Sequence, residues 1–192
     1  MRCLFAFDRD DTVTSSPEKT GPVPVEWVRH LAHDTGHEVW ATGNQKLKDE
    51  ADLPGVEEMV DLSTERWGDP KEHFRQRSHP KLERREGVPA DAPDPDVVTT
   101  LYLREDNPVP RGFPTDDSLD REQRLRLLAA LFPDCDKRVV VDNKYLDHLD
   151  EWVHYYPGEF VEFVETLGPL LDVAEPLDVG VPDCYDWPDD RS

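Results

Sequence analysis

A chain of 192 residues can bury one full core, and its 43 acidic against 22 basic residues leave a net charge of −21. A surface of that sign repels nucleic acid and anionic membranes, so it argues against general binding to either and leaves room only for a local basic pocket. It also keeps a protein hydrated when salt screens other charges, the composition expected of the cytoplasm of a halophilic archaeon.

Cys3, Cys135 and Cys184 are odd in number and form no CxxC pair, which reads as reduced thiols in place of a metal finger or disulfide scaffold. No apolar run nears the roughly 20 residues that span a bilayer. The start, with its early Asp8, does not read as a signal peptide, and the expected compartment is the cytoplasm.

In chain order, the apolar run Cys3–Phe7 stops at Asp8-Arg9-Asp10-Asp11, which predicts a buried strand entering a polar loop. Behind the Ser/Pro/Gly-rich stretch 15–24, Val25, Val28, Leu31 and Ala32 recur at helical spacing over Val25–His33, with Gly36 placed to end the helix. Glu38–Ala41 predicts a second strand, followed by Thr42-Gly43-Asn44 and a polar helix from about Gln45. This alternation predicts a parallel sheet with crossover helices. Residues 61–95 are charged, proline-rich and weakly periodic and predict no long element, while Val97–Leu103 reads as a strand. The stretch 62–115 reads either as a small cap or as an extended loop insertion.

Asp120, with Gln123 three residues on, has the form of a capping box. It precedes an apolar face of Leu125, Leu128, Ala129, Leu131 and Phe132, and Pro133 closes that helix. Arg138–Val141 predicts a third buried strand, again ending in acid and amide, Asp142-Asn143. A turn and short helix, a strand at Trp152–Tyr156, a helix over Phe160–Leu171 and an acidic tail, 172–192, complete the chain. His30, His33 and His37 fall near helical spacing and read as exposed helix histidines, not as a zinc site.

In parallel α/β sheets, ligands bind beyond the carboxyl ends of the strands. Three predicted strands end there in polar groups, namely Asp8 with Asp10, Thr42, and Asp142, which converge if the strands are neighbours. A carboxylate can attack phosphorus and split one difficult step into two, and a second acid two residues on can protonate the leaving oxygen and then activate water. Two acids near a phosphate call for a cation, and Mg²⁺ prefers oxygen ligands. In an Asp-rich chain each piece alone is cheap. Their joint order, each directly behind an apolar run, carries the weight.

Three segments resemble the first, second and fourth motifs of the haloacid-dehalogenase (HAD)-like hydrolase superfamily. They are Phe5-Ala6-Phe7-Asp8-Arg9-Asp10-Asp11-Thr12-Val13, Val39-Trp40-Ala41-Thr42-Gly43-Asn44, and Val139-Val140-Val141-Asp142-Asn143 with Asp147 and Asp150 downstream. The resemblance spans about residues 3–165. It implies a three-layer, Rossmann-like α/β domain over 1–171, with a mostly parallel central sheet and a small or absent cap. It also implies a Mg²⁺-dependent phosphatase that hydrolyses a phosphate monoester through an aspartyl-phosphate on Asp8. By the resemblance Asp10 is the acid and base, and Thr42, Gly43 and Asn44 hold phosphate. Asp8, Asp142 and the Asp10 carbonyl would hold Mg²⁺, with Asn143 as a further ligand.

Val141 and Asn143 depart from the family pattern, standing where many members have Gly and a second Asp. The third motif, usually Lys, has no clear counterpart. Lys137 lies five residues before Asp142, about 16 Å away along an extended strand and at the wrong edge of the sheet. Arg121 and Lys144 are the candidates, and Arg111 is a weaker one. The expected partner is a small phosphorylated substrate; protein partners are not legible. Two other functions fit the same motifs: a non-catalytic HAD-like domain that binds a phospho-ligand or a protein, and a sugar-phosphate phosphotransferase or mutase.

Overall fold

A computed structural model of the chain describes residues 2–14, 21–68, 74–76, 82–94 and 119–167. The predicted strand Val97–Leu103, Arg111, Cys184, the closing helix beyond Leu167 and the acidic tail lie outside them. In chain order the elements are β1 (Cys3–Phe7), β2 (Val13–Thr14), β3 (Val23–Pro24), α1 (Val25–His33), β4 (Glu38–Ala41), α2 (Lys46–Ala51) and α3 (Val56–Trp67). Then come β5 (Phe74–Gln76), β6 (Leu82–Arg84), α4 (Arg121–Leu131), β7 (Lys137–Val141), β8 (Val153–Tyr155) and α5 (Pro157–Leu167). Among the described residues no helix is long and apolar enough to cross a membrane.

The chain divides into two compact units, one made of the residues to Gly55 with those from Asp134 on, the other of Val56–Pro133. The first is built on a four-stranded, wholly parallel sheet in the order β4–β1–β7–β8. This is the α/β architecture expected from the alternation of apolar runs. All five residues of β1 are buried without exposure, the mark of a central strand covered on both faces. One face carries Phe5, Phe7, Val39, Ala41, Val139 and Val141 into a core shared with Trp27, Val28 and Leu31 of α1, Leu47 of α2 and Phe160 of α5. The Phe7 and Phe160 rings meet edge-on at 5.6 Å. Leu4, Ala6, Trp40 and Val140, on the opposite face, are also buried.

In the second unit α3 and α4 pack together, and β5 and β6 form an antiparallel pair. Arg66 joins the helices by donating from Nη1 to the terminal carbonyls of α4, Leu131 at 2.8 Å and Ala130 at 3.2 Å. Those carbonyls have no partner within their own helix. At the other end of α4 the predicted capping box is present, with the Asp120 side chain on the Gln123 amide and the Gln123 side chain on the Asp120 amide.

Several local expectations are corrected. Residues 61–67, expected to be irregular, belong to α3; its buried stripe of Met59, Ser63 and Trp67 recurs every fourth residue but holds too few large apolar side chains to register as periodic. Gly36 does not end α1, which is closed two residues earlier by Asp34, whose amide donates to the His30 carbonyl. Residues 143–152 form turns, not a helix. His30 and His37 are buried, not exposed. The His30 ring contacts Asp34 at 3.1 Å, and His37 Nδ1 accepts the Cys3 amide at 3.2 Å. His33, which is exposed, contacts the Ala51 carbonyl at 3.1 Å.

Candidate functional site

Parallel register lines up the ends of the strands. Phe7 stands beside Ala41 on one side and Val141 on the other, and Val141 stands beside Tyr155. The ladder continues one step beyond the strands. Thr42 donates its amide to the Phe7 carbonyl at 3.0 Å, Asp8 to Val141 at 3.0 Å, and Asp142 to Tyr155 at 3.2 Å. Thr42, Asp8, Asp142 and Tyr156 therefore form one row at the carboxyl edge, each about 4.8 Å from the next across the strands. The condition for convergence of the three sequence motifs, that their strands be neighbours, is met. Asp8 is 2% exposed and Thr42 and Asp142 are fully buried, so these three lie inside the protein, while Tyr156 at the end of the row is exposed.

Behind Asp8 the chain turns tightly. The Arg9 carbonyl accepts the amides of Thr12 and Val13 at 3.2 and 3.0 Å, and Asp11 takes a left-handed conformation (φ 58°), which Asp tolerates better than most residues. The turn is closed by Gly21, where a Cβ would lie 2.2 Å from the Thr12 backbone; no side chain fits there.

Gly43 has a similar role nearer the chemistry. A Cβ on it would stand 1.5 Å from Asp8 Oδ1 and 2.5 Å from Asp8 Cγ. The turn after Thr42 thus lies directly on the Asp8 carboxylate, and only the missing side chain allows it.

Asp10 is held from two sides. Arg9 Nη1 donates to one carboxylate oxygen at 2.9 Å and Asn44 Nδ2 to the other at 3.0 Å. Arg9 is 5% exposed and is anchored by a forked pair to Glu50, Nε at 2.7 Å and Nη2 at 2.6 Å. The Glu50 contact, the largest influence, holds the guanidinium charged well above its ordinary range. Asn44 accepts the Lys46 amide at 3.1 Å through its own oxygen. Its side chain therefore binds protein on both ends, and a phosphate would meet Asn44 through the backbone. The helix expected from about Gln45 opens at Lys46, with Gln45 as its N-cap, and has six residues, so it is the turn Thr42–Gly43–Asn44 that lies at the site. The Thr42 hydroxyl sits 3.4 Å from the Phe7 carbonyl.

Asp142 accepts the Lys144 amide at 2.8 Å, an Asx-type turn that fixes its carboxylate. Its backbone carbonyl is 3.1 Å from His154 Nε2, and His154 Nδ1 is 2.6 Å from Asp147. Asn143 and Lys144 are exposed on this loop. Of the basic candidates, Lys144 belongs to the same unit as Asp8, Arg121 opens α4 in the second unit, and Lys137 pairs with Cys3 at the far edge of the sheet, where the sequence spacing puts it.

For a divalent cation the relevant features are two buried carboxylates on adjacent strands, with the Asp10 carbonyl and the Asn143 amide in the two loops. This donor set is all oxygen and suits Mg²⁺. Among the described residues no three His, Cys, Asp or Glu side chains gather into a metal cluster; the expected set needs only two such side chains.

Sequence reasoning missed the Arg9–Glu50 anchor, the steric role of Gly43, and His154. The signals were present but weak: a cation between two motif acids needs a partner, and His154 is a polar residue inside an otherwise apolar strand. No protein-family model, curated protein or solved structure matches the chain.

Proposed function

We propose that this chain is a HAD-type, Mg²⁺-dependent phosphatase that hydrolyses a small phosphate monoester through an aspartyl-phosphate on Asp8. One observation carries the reading: Thr42, Asp8 and Asp142 stand side by side at the carboxyl edge of three neighbouring parallel strands, with the Gly43 turn against the Asp8 carboxylate. The order and residue types are those of the superfamily's motifs, and the three-layer fold, halophilic character and cytoplasmic setting belong to the same proposal.

In the first step an Asp8 oxygen attacks phosphorus in line, the bond to the leaving oxygen breaks, and Asp10 gives that oxygen its proton. In the second, Asp10 takes a proton from water, the water oxygen attacks phosphorus, and the Asp8–phosphorus bond breaks to release phosphate. With each oxygen of Asp10 accepting an N–H, the observed arrangement is that of the base and suits the second step. The Thr42 hydroxyl and the backbone of Gly43 and Asn44 would orient the phosphoryl oxygens, and Lys144, the basic candidate in the same unit as Asp8, would supply the positive charge of the third motif. Asp8 and Asp142, with the Asp10 carbonyl and Asn143, would hold Mg²⁺, which when bound offsets negative charge on the phosphoryl group.

The clasp on Asp10 favours a second reading, a module that binds a phosphorylated ligand without turnover, because it ties up the proton donor. Phosphate release from an aryl phosphate in molar KCl, with and without Mg²⁺, separates the two. Turnover that needs Mg²⁺ and falls about a thousandfold in Asp8→Asn is the expected result. Full Mg²⁺-dependent turnover by Asp8→Asn overturns the phosphatase mechanism. Binding without release selects the module, and an isomerised sugar phosphate would mark a phosphotransferase.

A further inference from the structure

We infer that His154 is the positioning residue of the metal-bearing loop, stapling both ends of 142–147 to strand β8. The inference rests on the metal role proposed for Asp142. His154 stands beside Val140 in the sheet, so its side chain rises on the same face as Asp142, two residues further along β7. The side chain is 2% exposed. A carbonyl and a carboxylate can only accept, so both ring nitrogens donate, Nε2 to the Asp142 carbonyl at 3.1 Å and Nδ1 to the Asp147 carboxylate at 2.6 Å. One imidazole thus ties the first residue of the loop to its sixth. The Tyr156 ring packs on it at 4.7 Å, nearly edge-on, and keeps it from turning away.

The consequence concerns the Asp142 carboxylate. Its direction is set inside the loop by the Lys144 amide, so it points the right way only while the loop keeps its shape. Without the staple the loop would keep its own turns and the buried Leu146, but its first and sixth residues would lose their common side-chain tie to β8, and the exposed Asn143 and Lys144 between Asp142 and that anchor could shift the Asp142 side chain off line. Partners that hold a metal ligand in place commonly account for ten- to hundredfold in metal affinity. His154 would act in that way through the backbone, without touching metal or substrate.

The test is Mg²⁺ binding by calorimetry, and the rise in melting temperature on adding Mg²⁺, in wild type, His154→Phe, His154→Gln, His154→Asn and Asp142→Asn. His154→Phe keeps the ring against Tyr156 and removes both hydrogen bonds. Gln can keep the Nε2 bond and Asn the Nδ1 bond, so these serve if Phe does not fold. His154→Phe should weaken Mg²⁺ binding about ten- to hundredfold, with Gln and Asn between it and wild type. With an aryl phosphate, its lost turnover should return at high Mg²⁺ with KM for the phosphate unchanged, a recovery that general loosening of the fold would not give. Wild-type Mg²⁺ affinity in folded His154→Phe, or in both Gln and Asn variants, overturns the staple if Asp142→Asn has lost Mg²⁺. Unchanged Mg²⁺ binding in Asp142→Asn overturns the metal site itself, and the staple's function with it.

Discussion

At the scale of single residues, Gly43 separates folding from function more cleanly than any acid in the row. In Gly43→Ala the new Cβ would overlap the Asp8 carboxylate; its two worst collisions, at 1.5 and 2.5 Å, are with side-chain atoms that can swing aside, and the third, with Asp8 Cα at 3.0 Å, needs only a small backbone shift. The protein should therefore fold, with Asp8 turned out of line. Displacement of a reacting group by about 1 Å can cost about a hundredfold in rate, so turnover of an aryl phosphate should fall by roughly that factor while circular dichroism and melting stay near wild type. Retention of full activity would mean that the Asp8 carboxylate does not need to lie where it does. Asp8, Thr42 and Asp142 were legible in the sequence because each follows an apolar run. The reason for a glycine at 43 was not, because it depends on an atom 35 residues away across two strands. Arg9 was hidden for the same reason: its type and place were visible, but its anchor, Glu50, comes from a different helix.

At the scale of elements, β1 explains both why the site is buried and how the sheet should respond to alkali. Cys3 opens this strand with no exposure, and burial, only partly offset by Lys137, pushes its thiol from an ordinary 9.0 up to about 11. Below pH 9 the thiol is neutral in both folded and unfolded chains and stability is unaffected. Between about 9 and 11 the unfolded chain gives up the proton and the folded one keeps it, so stability is lost as pH rises through this window. Denaturant titrations at pH 7.5 and 10.5 should show wild type losing on the order of 2 kcal/mol more than Cys3→Ala between the two conditions. An equal loss in both proteins would assign the alkaline sensitivity to other groups, Cys135 and Tyr155 among them, whose values burial also raises.

The strands and α1 were readable because a buried parallel strand is a short apolar run with polar ends, and a surface helix repeats its apolar residues. The α4 capping box was readable because its signal is wholly local. By contrast α3 hides its stripe among charges, the two-residue pair β2–β3 is too short to have a pattern, and β5–β6 is a pairing no local signal specifies.

At the scale of the whole molecule, charge decides the conditions in which any of these measurements makes sense. A net charge of −21 on 192 residues makes the compact state repel itself, and the same field would oppose the approach of the phosphorylated, anionic substrate proposed for it. Screening relieves both. The Debye length falls from about 10 Å at 0.1 M salt to about 3 Å at 1 M, so most of the relief should come in that interval. The melting temperature should therefore climb steeply with KCl up to about 1 M and then flatten, whereas solvent exclusion from apolar surface would continue to rise with concentration. Measured well below melting, KM for an aryl phosphate should fall over the same interval while kcat changes little, because screening acts on approach before it acts on chemistry. A melting temperature independent of KCl would sever the acidic composition from salt adaptation, and a KM that rises with KCl would mean that local positive charge in the unit that holds Asp8, such as Lys144, outweighs the field of the rest of the protein.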